Sequence, residues 1–224
     1  MTYRGQAWDD MSEFVVHFTK DTPTASAMQI LSKILREGRV LAGSKLGLAR
    51  SDDIKDQEAA CFSEVPLHLL TRIVERRSVF GVGFHHTLIQ QRGGARVWYL
   101  EKDSMIAVAV ENLKAHHLHS GKPGGGHRQS DPFWQITPFI DRPGDYGGVP
   151  YRFEWSSERE WRVTEFLQFD AADVAFIFLP DSQHRHSETW AAHRGLGEDE
   201  GTLTAPMIDP HWARERILEA MQVP

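Results

Sequence analysis

Apolar residues recur along the chain with two periods, every second residue in short runs and every third or fourth in longer ones, and the two patterns alternate. Glu13 to Thr19 has the two-residue period of a strand, with Phe14 and Val16 on one face and Val15, His17 and Thr19 on the other. Met28, Leu31, Ile34 and Leu35 then form a helical stripe, begun by Thr22 as cap with Pro23 in the first position and ended by Gly38. Residues 39–58 mix glycine and charge without periodicity and predict a loop crossing over whatever site lies beneath it. Ala59 to Ser63 predicts a buried strand, with Ser63 capping a helix that buries Leu67, Leu70, Ile73 and Val74.

Val79 to Phe84 and Ala95 to Leu100 predict further strands, separated by a short helix from Thr87. Ser104 to His119 predicts a helix with Ile106, Ala109, Val110 and Leu113 turned inward, followed by a glycine-rich loop within 120–131. Asp131 to Ile140 is aromatic and is expected to pack over the sheet. From Tyr151 to Val163 an extended chain would place Glu154, Ser156, Glu158, Glu160 and Arg162 on one side and Phe153, Trp155, Trp161 and Val163 on the other. The same pattern suits a half-buried antiparallel strand with a solvated charged face. Leu167 to Phe169 is expected to continue a hairpin from that strand. Val174 to Leu179 predicts a central strand stopped by Pro180, and Asp209 with Pro210 opens a last helix burying Trp212, Ile217 and Met221. The elements predict one α+β domain over 1–224, with a small, split, mostly antiparallel sheet flanked by helices.

Length and composition narrow the class. A chain of 224 residues with 41% hydrophobic content can bury a substantial core. No apolar run is long enough to span a bilayer, and the polar, acidic Met1 to Met11 does not resemble a signal peptide, so the chain is expected in the cytoplasm. One cysteine, Cys61, excludes an internal disulfide framework and a multi-thiolate zinc site. A net charge of -6 argues against general attraction to nucleic acid but is compatible with a local basic groove.

Several chemistries are absent from the sequence. There is no Walker phosphate loop, no Gly-x-Ser-x-Gly elbow, and no Gly-x-Gly-x-x-Gly after a strand. Of the 12 histidines, His116, His117 and His119 lie at a helix end, while His184, His186 and His193 lack an accompanying carboxylate pattern, so no metal site is predicted. Cys61 follows two alanines in an apolar run, a setting for a poor nucleophile. Three clusters remain: His17 to Thr19, Cys61 to Glu64, and Glu158 to Glu160.

These clusters carry a resemblance. His-Phe-Thr19, Ile-Leu-Arg-Glu-Gly38, Cys-Phe-Ser-Glu-x-Pro66, Phe-Gly-Val-Gly-Phe84, Val-Trp-Tyr99 and Glu-Arg-Glu-Trp-Arg162 together resemble the AbiGi-type family linked to abortive phage infection, over most of residues 13–180. That family has been labelled an antitoxin, which implies a toxin or other partner protein. More remotely, His-x-Thr before a helix ending Ile-Leu-x-x-Gly is similar to the start of ADP-ribosyltransferases, including the DarT-like enzymes that modify DNA. This second resemblance implies that His17 and Thr19 bind NAD, that Phe62 and Ser63 line the nicotinamide pocket, and that Glu160 is catalytic with Glu158 positioning the acceptor. Phe62 has no hydrogen to donate, and no clear tyrosine pair is present to stack on nicotinamide.

Breaking the bond to nicotinamide builds positive charge on the ribose, so Glu160 would have to stay ionised, a state that Arg159 or Arg162 would favour. Two readings follow: an NAD-dependent ADP-ribosyltransferase of phage defence acting on nucleic acid or protein, and a non-catalytic antitoxin or regulatory binding protein. The enzyme requires His17 and Glu160 to converge on one cleft. The binder is expected to show an apolar surface patch instead.

Overall fold

Strand β1, Phe14–Phe18, forms within the predicted stretch, with Val15 and Val16 buried on its two faces, and leads to helix α1, Ala27–Glu37. The helix starts later than its sequence suggests because Ser26, not Thr22, makes the cap: its hydroxyl accepts from Gln29 N at 3.3 Å while the Gln29 side chain accepts from Ser26 N at 2.8 Å. Thr22 instead closes a preceding turn through Ala25 N. Gly38 ends α1 at φ 58°, and a Cβ there would lie 2.7 Å from the Phe169 carbonyl oxygen, so both conformation and space require glycine.

The expected loop beyond Gly38 contains two short strands, β2 (Arg39–Leu41) and β3 (Ser44–Lys45), followed by β4 (Glu58–Glu64). Ser63 lies inside β4, as a strand residue rather than at the start of a helix. There follow α2 (Leu70–Arg76), β5 (Gly81–His85) and α3 (His86–Gln91). The strand expected over 95–100 is divided into β6 (Ala95–Arg96) and β7 (Trp98–Tyr99), which pair with different partners. Then come α4 (Met105–Ser120), α5 (Pro132–Ile136), β8 (Ile140–Asp141), β9 (Glu160–Thr164) and β10 (Phe166–Gln168). The chain continues through β11 (Val174–Phe178), α6 (Asp181–His184), β12 (Met207–Ile208) and α7 (Arg214–Met221). The computed structural model describes residues 13–50, 57–64, 66, 70–101, 103–120, 131–142, 159–184 and 205–221. The elements are helices and a mostly antiparallel sheet, as expected for the α+β class. Among the described residues, no helix is long and apolar enough to cross a membrane.

Two compact units are present, the first drawn from 1–40, 62–92 and 168–224 and the second from 41–61 and 93–167. In the first, the strand order is β12-β11-β5-β1-β4, antiparallel except for the β11–β12 pair. Val16, Phe176 and Phe178 pack with Leu70, Ile73 and Val74 of α2 and Ile217 of α7. Close packing at this face sets a demand on β5, because a Cβ on Gly83 would meet the Phe176 ring at 2.4 Å.

In the second unit the first half of β4 neighbours β9, and β9 pairs antiparallel with β6 through Ala95 and Arg162. β10 pairs with β2 rather than continuing a hairpin from β9. Leu48, Ala49, Leu100, Ala107, Phe133 and Ile140 belong to its core. Gly47, at φ 77°, lets the chain press against Thr137 and Pro138, where a Cβ would come within 2.1 Å of the Thr137 carbonyl. Helix α4 is rotated from the expected orientation. Ala107 is buried and Val110 partly buried, whereas Ile106, Ala109 and Leu113 are exposed.

Candidate functional site

β9 carries Glu160 and Arg162 two residues apart, so both side chains leave the same face of the strand. The left-handed turn at Arg159, φ 44°, precedes Glu160, whose backbone carbonyl accepts Val97 N at 2.9 Å. This fixes the carboxylate on a paired strand. Arg162 donates from Nε to Glu160 Oε1 at 2.8 Å and from Nη2 to Oε2 at 3.2 Å. The Tyr99 hydroxyl donates to Oε2, and the Cys61 side chain is also hydrogen-bonded to the carboxylate.

The guanidinium of Arg162 reaches further inward. Its Nη1 donates to the Pro138 carbonyl at 2.5 Å and its Nη2 to Asp141 Oδ2 at 2.8 Å. Arg50 Nη2 donates to the other oxygen of Asp141 at 2.6 Å, and Arg142 N donates to that oxygen at 2.8 Å. Arg50, Asp141, Arg162 and Glu160 thus alternate in charge along one connected network. Hydrogen bonds of this kind offset the cost of burying each ion.

Burial would push the Glu160 carboxyl up, but the Arg162 charge and the hydrogen bonds from Arg162, Tyr99 and Cys61 outweigh it and hold the group below the usual carboxylate value. Tyr99 is shifted the other way: burial first, then the adjacent Glu160 charge, keep its phenol protonated well above the ordinary range. Burial works against the Arg162 charge, yet Glu160 and Asp141 leave the guanidinium more firmly protonated than usual. The site therefore contains an ionised, oriented carboxylate whose side chain is 13% exposed.

His17, Thr19, Phe62 and Ser63 belong to the first unit, where β-strand geometry separates them. Val16 is paired with Ser63, so His17 lies across from Phe62 and their ring centroids are 5.6 Å apart. Ser63 faces the opposite side, with Val16, because neighbouring strand residues alternate. A single face cannot be lined by both Phe62 and Ser63. Phe62 is buried against Phe84, centroids 6.1 Å apart, and Thr19 donates its buried hydroxyl to the Ala27 carbonyl at 2.8 Å. Thr19 therefore tethers β1 to the start of α1. His17 is half-buried beside Phe62.

Of the expected NAD contacts, His17 retains partial exposure, while Thr19, Phe62 and Ser63 are committed to strand pairing, packing or the helix tether. His17 belongs to the first unit and Glu160 to the second. Glu158 lies outside the described residues. So do His186 and His193, while His184 bonds the Leu179 carbonyl at 3.0 Å. Among the described residues, no group of three or more His, Cys, Asp or Glu side chains is arranged to hold a metal ion.

The sequence reading missed Tyr99, Asp141 and Arg50. A phenol that must share a carboxylate, and a buried aspartate between two arginines, have no local sequence signature; their meeting depends on strand pairing. Comparison with family models, curated proteins and solved structures finds no match to the chain.

Proposed function

We propose that the protein is an NAD-dependent ADP-ribosyltransferase-like effector of phage defence, with Glu160 as its catalytic carboxylate. The observation supporting this reading is the state of Glu160: Arg162 and Tyr99 hold it ionised and directed on a paired strand. NAD supplies a glycosidic bond whose rupture leaves positive charge on ribose. An oriented carboxylate stabilises that charge without reorganising during reaction. The acceptor is nucleic acid or protein.

A second reading, a non-catalytic antitoxin or regulatory binding protein, is favoured by the pairing of the same carboxylate. Arg162 neutralises Glu160 as well as orienting it, so the field outside the site is that of an ion pair, weaker than that of a lone carboxylate.

Nicotinamide release and NAD binding separate the two. Wild type should bind NAD and release nicotinamide, and Glu160→Gln should lose release while remaining folded by circular dichroism. Absence of both binding and release in folded wild type would overturn the NAD reading for the isolated chain.

A further inference from the structure

Helix α4 turns its charged side chains toward partners and leaves most of its large apolar side chains exposed. Glu111, Lys114 and His117 are its half-buried polar positions, and each is tied inward. Glu111 pairs with Arg142, Lys114 Nζ donates to the Leu48 carbonyl at 3.0 Å, and His117 meets Asp131 at 2.7 Å. These bonds fix the rotation of the helix. On the outside, Met105 is 88% exposed, Ile106 and Val108 are 55% exposed, and Leu113 is also exposed. No Asp, Glu, Lys or Arg occurs among the exposed positions from Met105 to His119. The other exposed large hydrophobic side chains, Leu41, Trp98, Ile136 and Phe166, also belong to the second unit; among the described residues, the first unit has none.

We propose that the outer face of α4 is a self-association surface, occupied by α4 of a second copy in antiparallel orientation. Ile106, Ala109, Leu113 and His116 follow the alternating three- and four-residue spacing of a helix-pairing seam. A two-fold axis near the middle of α4 sets Leu113 of each copy over the small Ala109 of the other, allowing close approach, and sets Ile106 against His116. The same register brings Asp103, just before the helix, opposite His119 near its end.

Carboxylate then meets imidazole at both ends, whereas a parallel pair would put like with like. That complementarity favours a second copy over an unrelated partner, because one helix supplies both halves of each contact. At 16 residues, about 24 Å of helix, the seam is at the small end of stable interfaces, so the dimer should be reversible and concentration-dependent.

Sedimentation velocity of the full chain over a micromolar concentration series tests the proposal. Wild type should pass from monomer to dimer, and Leu113→Glu should raise the dimer dissociation constant by about a hundredfold or more, since symmetry places the charge in the seam twice. The thermal midpoint of the dilute Leu113→Glu monomer should match that of dilute wild type, because Leu113 is exposed there. Asp103→Lys and His119→Glu should each weaken association, and the double variant should restore it. A wild-type monomer throughout the series, an unaffected Leu113→Glu dimer, or a failure of the double variant to recover would each overturn the proposal.

Discussion

Removing Arg162 tests whether the buried network is held by its charges. Its side chain is 3% exposed, and that of its partner Asp141 is 5% exposed. Arg162→Met retains much of the side-chain length but removes every donor. Asp141 keeps Arg50 and the Arg142 backbone N–H; Glu160 keeps only its contacts with Tyr99 and Cys61 as identified hydrogen bonds. The loss therefore falls mainly on Glu160, and removing one partner of a buried pair costs about 3–5 kcal/mol. Near neutral pH, the variant should be destabilised by roughly that amount.

The pH dependence gives a sharper criterion. In the wild type, Glu160 has a folded pKa below its unfolded value of 4.5, so its contribution is present above that value and is lost as pH falls through the folded pKa. Without Arg162, burial dominates and the folded pKa should move above the unfolded one, reversing the sign. The contribution of the protonated group would then be present below pH 4.5 and be lost as pH rises. The stability difference between the proteins should consequently be small in acid and widen toward neutrality. Urea unfolding of both proteins across this range measures it, with two probes because two compact units need not unfold as one. A cost below about 1 kcal/mol at neutral pH, or a cost independent of pH, would refute the electrostatic account of the network.

Two further substitutions test the supporting structure. Thr19→Val should lose about 0.5–1.5 kcal/mol, whereas Thr19→Ser should retain most of that stability by keeping the donor to Ala27; denaturant midpoints distinguish them. Gly83→Ala should cost about 1–3 kcal/mol in thermal unfolding, since its Cβ would meet the Phe176 ring at 2.4 Å inside the packed face.

The parts of the structure legible from sequence are those governed by local period. The position of β1, the helical stripe and glycine stop of α1, and the shared face of Glu160 and Arg162 all follow from residues at most a few turns apart. Partner identity was less legible. Arg162 bonds Asp141 across 21 positions and Glu160 bonds Tyr99 across 61, distances at which no periodic signal relates the residues. The division of 95–100 has a similar cause: Ala95 and Arg96 pair with β9, while Trp98 and Tyr99 pair with β8.

Helix α4 shows how a correct element can be given the wrong face. Apolar residues surround it closely enough that the sequence permits more than one inward stripe; of the expected Ile106, Ala109, Val110 and Leu113, only Val110 turns inward. The orientation is instead decided by three polar residues, Glu111, Lys114 and His117, whose partners are Arg142, the Leu48 carbonyl and Asp131. Burying these groups is tolerable because each is paired; rotating the helix to bury Leu113 would separate all three from their partners. The apolar seam is therefore left outside by polar bonds that local hydrophobicity cannot anticipate, and covering it in a second copy would reconcile its composition with its exposure.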